Sequence, residues 1–127
     1  MKARGDSLPE LFSAAFSGMA EILKNGACAL LGPDCENCDI EREIVLSAPG
    51  PEILLVDFLS EVLTASYEEE AVFCSVKFSK LNETEIVAKI FGKRFGGFDE
   101  DIKAVTYHQV QISETKNGLE AVILFDI

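Results

Sequence analysis

Polar and apolar residues alternate in two runs near the end of the chain, 102–112 and 119–127, with Lys116-Asn117-Gly118 between them. Alternation with period two is the mark of a half-buried strand, and Asn-Gly between two such runs is a strong hairpin signal. A two-residue turn at Asn117 and Gly118 with positive φ at both puts Lys116 opposite Leu119. Ile112 then faces Ile123, Val110 faces Phe125 and His108 faces Ile127. This register sorts the hairpin into two faces, because side chains alternate across a strand. One face, expected in the core, carries Ile102, Ala104, Thr106, His108, Val110 and Ile112 against Leu119, Ala121, Ile123, Phe125 and Ile127. The other is mixed and carries Lys103, Val105, Tyr107, Gln109 and Gln111 against Glu120, Val122, Leu124 and Asp126.

Upstream the period changes. Ser7-Leu8-Pro9-Glu10 has the spacing of a capping box, in which Ser7 accepts from the Glu10 amide and Glu10 reaches back. Proline is tolerated in that first turn, where its missing N–H would have no helical partner. Leu8, Leu11, Phe12, Ala15, Phe16, Met19, Ala20, Ile22 and Leu23 follow on one broad stripe, and Asn25-Gly26 ends the helix. Residues 27–39 contain Gly32-Pro33-Asp34 and read as a loop; 40–46 read as a strand broken by Pro49-Gly50-Pro51. A second helix is expected over 52–67, with Glu68-Glu69-Glu70 as a solvated connection. Strands at 72–78 and 83–91 and a glycine-containing loop at 91–99 complete the pattern. Residues 1–5 suit the end of a short strand. The fold class is therefore α+β, a single domain over 1–127 in the order (β)-α-β-α-β-β-β-β, with two helices packed on a mainly antiparallel sheet.

The net charge of −11, from 11 basic and 22 acidic residues, narrows the partners. An acidic chain is repelled by phosphate backbones, so direct nucleic-acid binding is not expected and a basic protein partner is favoured. No apolar run reaches the length of a membrane span, and the N-terminus leads into no signal-peptide core, so the expectation is cytoplasmic. Cys28, Cys35, Cys38 and Cys74 are then expected as reduced thiols. Cys35 and Cys38 have metal-ligand spacing, but a zinc site calls for a second pair at similar spacing, and none follows.

The chemistry on offer is sparse. The lone histidine, His108, lies on the expected core face, which leaves no base for a serine or cysteine nucleophile. Residues 92–97, Gly-Lys-Arg-Phe-Gly-Gly, lack the spacing of a phosphate-binding loop. On the mixed face, Asp126 stands beside the α-carboxylate of Ile127, and hard cations take oxygen ligands of this kind.

The run Lys103-Ala104-Val105-Thr106-Tyr107-His108, the Asn-Gly hairpin and the ending Ile123-Leu124-Phe125-Asp126-Ile127 together resemble the archease family. The helix beginning at Ser7 and the run Leu54-Leu55-Val56-Asp57-Phe58-Leu59-Ser60-Glu61-Val62-Leu63 match it more loosely, so the likeness spans nearly the whole chain. The resemblance implies a small acidic protein that is not an enzyme but assists an RtcB-type RNA ligase in tRNA splicing, promoting its guanylylation and turnover. It also implies a divalent ion, calcium or magnesium or manganese, with Asp126 and the Ile127 carboxylate as ligands and Lys103 as the functional lysine. The family's N-terminal Asp-His-Thr-Ala-Asp strand, whose second aspartate joins the metal site, has no counterpart here. Met1-Lys2-Ala3-Arg4-Gly5 matches only that strand's far end, so the expectation is a truncated chain, a start assigned too late or a diverged member, in each case with an incomplete metal site, and a sheet edge open to self-association, a homo-oligomer included. Two other readings compete: a metal-independent, chaperone-like interaction module for an RNA-processing enzyme, and a thiol or zinc protein built on Cys35 and Cys38.

Overall fold

Two three-stranded antiparallel sheets share a helical filling in the computed structural model, which describes residues 1–32 and 35–127. In chain order the elements are β1 (Lys2–Gly5), α1 (Leu8–Leu23), α2 (Ala27–Leu31), β2 (Ile40–Ser47), α3 (Pro51–Glu69), β3 (Ala71–Leu81), β4 (Glu85–Arg94), β5 (Ala104–Thr115) and β6 (Gly118–Asp126). One sheet runs β1-β6-β5 and the other β2-β4-β3. The α+β class and the element order stand as expected, with α2 added where the sequence reads as loop. The expected turn at Pro33-Asp34 lies outside the described residues.

Helix α1 starts as its sequence dictates. The Ser7 hydroxyl accepts from the Glu10 amide at 3.4 Å, and the Glu10 carboxylate reaches back to the amide of Asp6, one residue beyond the box. Helix α3 runs two residues past the expected end, where arginine–glutamate ion pairs hold its last turn. Arg42 reaches Glu68 and Glu69 at 3.4 and 3.3 Å, and Arg94 meets Glu69 at 2.7 Å. Glu70 closes the helix in the left-handed conformation.

The core lies between the helices and the inner faces of the sheets. Phe58 of α3 sits at its centre, 5.9 Å from the Phe12 ring, 6.1 Å from Phe16 and 5.7 Å from Phe78, and is fully buried. Its truncation would leave a cavity walled by three other rings.

The hairpin departs from its expected register twice. The turn residues are Lys116 and Asn117, with Thr115 opposite Gly118. Gly118 has φ of +101° and Asn117 does not have positive φ, so the expected turn with two positive-φ residues does not form. Thr115 stabilises this alternative by accepting from the Asn117 amide and donating to the Gly118 carbonyl. A Cβ at Gly118 would also come within 2.7 Å of the Gly5 carbonyl, so the end of β1 enforces glycine there. This first shift moves the pairing by two residues, an even number, and the faces survive: Ile112 meets Ala121 instead of Ile123.

The second departure does change the faces. Between the pairs Thr106–Leu124 and Gln111–Val122, four β5 residues oppose the single β6 residue Ile123. Gln109 takes φ of +56° within this bulge. Three surplus residues are an odd number, so the residues paired before the bulge, Ala104 to Thr106, change faces. Val105, expected on the mixed face, is buried, and Ala104 and His108, expected in the core, are exposed. His108 is thus a surface residue.

The cysteines also differ from expectation. Helix α2 turns Cys28 back onto β3, where it is disulfide-bonded to Cys74 with the Cα atoms 5.3 Å apart. Cys35 and Cys38 are bonded to each other.

Two stability measurements check this architecture. Phe58→Ala is expected to lower unfolding free energy by about 3–5 kcal/mol in urea titrations. The Cys28–Cys74 bridge spans 46 residues, and closing such a loop in the unfolded chain is worth about 2–4 kcal/mol. Cys74→Ser should therefore lower stability by that amount under oxidising conditions; an unchanged midpoint would show that the bridge contributes nothing.

Candidate functional site

Lys103 and the C-terminal residues meet at one end of the β1-β6-β5 sheet. The Lys103 amide donates to the Asp126 carbonyl at 2.6 Å, which fixes the entry to β5 against the exit of β6. Lys103, Asp126 and Ile127 are all exposed, Ile127 to 58%. The bulge sets the local register: Ala104 pairs with Asp126 and Val105 with Phe125, so Asp126 shares its face with Ala104, while Lys103 stands just before the strand begins. The sequence places Lys103 and Asp126 on one face; the structure joins their backbones and leaves both side chains exposed.

Two tyrosines organise the surroundings, and neither of these contacts was legible in the sequence. Tyr67, from α3, donates to Asp101 at 2.7 Å and shares its hydroxyl with the Ile102 carbonyl at 2.9 Å. Tyr107, in the bulge, donates to Asp57 of α3. Each tyrosine finds its aspartate far along the chain, 34 and 50 residues away, so no local pattern announces the pairs. Tyr67 is the better fixed, since its ring also packs edge-on against Phe98 at 5.2 Å. Its partial burial, followed by the hydrogen bond to Asp101 and that carboxylate's charge, pushes its pKa up to about 12. The Asp57 hydrogen bond, burial and charge likewise raise that of Tyr107.

Beside Asp126, β1 pairs with β6 only as far as Met1 and Ile123, which exchange both backbone hydrogen bonds at 2.8 Å. Among the described residues, no strand covers Leu124 to Asp126 on that side. On the outer face lies an open groove of about 570 Å³, lined by Gln109, Val110, Gln111, Val122 and Leu124. Val122 and Leu124 are exposed apolar residues on its floor.

The fit to a divalent cation is poor. Among the described residues no three His, Cys, Asp or Glu side chains form a group that would hold a metal. Asp126 and the terminal carboxylate alone fall short of the six to eight oxygens calcium takes.

Comparison with known proteins places this geometry. A family model described as the Archease protein family matches residues 1–127. The chain belongs to the archease family. Relatives named protein archease from Methanosarcina mazei and Methanosarcina barkeri are 34% and 33% identical over 91% of this chain and 88% of theirs. The archease fold is also recovered in three dimensions. The solution structure of Methanobacterium thermoautotrophicum protein 1598 matches with a TM-score of 0.72 and 25% identity, covering 98% of this chain and 89% of that one. The crystal structure of a Thermotoga maritima archease, described as a possible chaperone, matches at 0.65 and 19% identity over all of this chain and 88% of the other. No helix among the described residues of this archease is long and apolar enough to cross a membrane.

The tyrosine anchors have a pH signature. A tyrosine whose folded pKa is raised gives up stability as pH climbs from the unfolded value near 10 towards the folded one, because the unfolded chain releases its proton first. For Tyr67 that window runs from about pH 10 to about 12. Urea midpoints of the natural chain should fall across it, and those of Tyr67→Phe should fall less. Parallel curves for the two proteins would contradict the assignment.

Proposed function

We propose that this archease is a protein cofactor of an RtcB-type RNA ligase, promoting the ligase's guanylylation and turnover and carrying out no reaction itself. The observation that carries the reading is the end of the β1-β6-β5 sheet: Lys103 and Asp126, to which the resemblance assigns a function, are exposed and tied together by backbone in a chain of this family. Such a site suits contact with another macromolecule. It is exposed and charged, it stands at strand ends, and a separate open groove with an apolar floor lies on the sheet's outer face. The net charge of −11 favours a basic protein surface and disfavours the ligase's RNA, whose phosphates would repel this chain.

A divalent cation at Asp126 and the Ile127 carboxylate belongs to this proposal only as a weakly held ion, with other oxygens supplied by water or by the partner. The proposed contact with the ligase does not depend on it.

The metal-independent, chaperone-like alternative makes a different demand on Asp126. Ligase guanylylation followed over many turnovers separates the two. With the natural chain present, turnover should rise, and Asp126→Ala and Lys103→Ala should each abolish most of the rise while leaving the urea midpoint unchanged. Full stimulation by both variants would favour the module reading; no stimulation by the natural chain would remove the ligase from consideration.

A further inference from the structure

Where α3 ends, the chain builds a second concave feature that the proposed contact at Lys103 and Asp126 does not use. Tyr67, Glu70, Phe95, Gly96, Gly97 and Phe98 line a cavity of about 290 Å³. Its shape follows from local structure. Glu70 turns out of the helix with φ of 51°, and its carbonyl accepts the Phe95 amide at 3.2 Å, which pins the loop against the helix end. Gly96 and Gly97 follow, and a Cβ at either would meet nothing within 4 Å, so that wall is bare backbone beside open space.

We propose that this cavity receives an arginine side chain from the protein partner. Aromatic rings, an open backbone wall and one carboxylate are the elements that hold a planar cation. The rings belong to Tyr67, Phe95 and Phe98, all half-exposed or less buried than core residues. The carboxylate is that of Glu70. Its neighbours Glu68 and Glu69 are engaged by Arg42 and Arg94, whereas the Glu70 carboxylate is exposed and has no ion pair or hydrogen bond among the described residues. The chain's own Lys24 shows that the loop accepts cations: its ammonium lies 5.7 Å over the Phe95 ring and donates to the Gly97 carbonyl at 3.2 Å. Arginine fits better than lysine on the cavity side, because a guanidinium can stack on a ring and present two parallel donors to Glu70 at once.

A path of hydrogen bonds links the cavity wall to the candidate site. The Tyr67 hydroxyl holds Asp101 and the Ile102 carbonyl, Lys103 follows directly, and the Lys103 amide joins Asp126. A basic partner lying along this path would touch both features. The inference therefore rests on the reading that this archease docks on a protein, and its test uses no ligase, so the two fail separately.

The full chain, labelled with ¹⁵N, is titrated with acetyl-Gly-Arg-Gly-amide while its amide spectrum is recorded. Saturable shifts are expected at Gly96, Gly97 and Phe98. The same peptide with citrulline in place of arginine should bind at least about fivefold more weakly, as should the arginine peptide to Glu70→Gln, since an exposed ion pair with a cation–π contact is worth about 1 kcal/mol. Phe98→Leu should weaken binding similarly, and the spectrum of each variant reports directly whether it is folded. Citrulline binding as tightly as arginine would overturn the proposal, as would shifts scattered over the acidic surface and absent at 96–98. A lysine peptide that binds as well as the arginine peptide would overturn the choice of arginine.

Discussion

A strand has two faces, and three surplus residues in β5 decide which side chains occupy them along half of the terminal hairpin. The bulge between Thr106 and Gln111 carries Val105 into the core beneath α3 and lifts His108 out to solvent. It also frees Tyr107 to reach Asp57 and turns Asp126 outward with Ala104. The energetics are straightforward. Burying Val105 contributes about 1.5–3 kcal/mol, and keeping a histidine out of an apolar core avoids the cost of desolvating its ring nitrogens. Against this stands one non-glycine residue, Gln109, in left-handed backbone, at about 1–3 kcal/mol. The bulge therefore sits near balance on its own and is held by what lies on either side of it: the buried Ile102 and Val105 before, and the regular pairing from Gln111 onward.

The proposed partner surface in the same region is built without a pocket. Backbone hydrogen bonds, rather than side-chain packing, place Lys103 against Asp126, so the two positions are fixed while their side chains stay free for another molecule. The tyrosine anchors on α3 and in the bulge do the supporting work. Tyr67 holds the approach to β5 from below, and Tyr107 holds the bulge from the side. Each uses one hydroxyl to tie a loop or strand to the long helix whose Phe58 centres the core. Rigidity thus reaches the sheet end from the middle of the molecule.

Much of this was legible in the residues. The helix beginning at Ser7, the second helix, the strands and the α+β class follow from period and capping, and the run Lys103 to His108 with its terminal aspartate carries the family. What escaped has physical causes. Short α2 has too few residues for a period to register. The hairpin register depended on Gly118 lying against Gly5, a contact between opposite ends of the chain, and on a bulge whose only local trace is one unremarkable glutamine. The exclusion of His108 from the core followed from that bulge. The cysteine pairing depended on α2 folding back, and the cavity at Glu70 depended on which of three adjacent glutamates the arginines left alone. All are tertiary facts, and the candidate site inherits them: Asp126 pairs with Ala104 in a register that the bulge sets.

The β1-β6-β5 order has a consequence for how the molecule is made. The middle strand of that sheet is β6, which is made after both of its neighbours: β1, which precedes every helix described, and β5, the preceding hairpin arm. Until β6 has been made, β1 lacks the strand it pairs with, and α1 packs against a strand that no neighbour holds. The other sheet, β2-β4-β3, is complete some thirty residues earlier and can form with α3 as the chain emerges. Folding of this sheet therefore waits for β6, and the residues proposed to meet a partner are ordered only once that strand has joined β1 and β5.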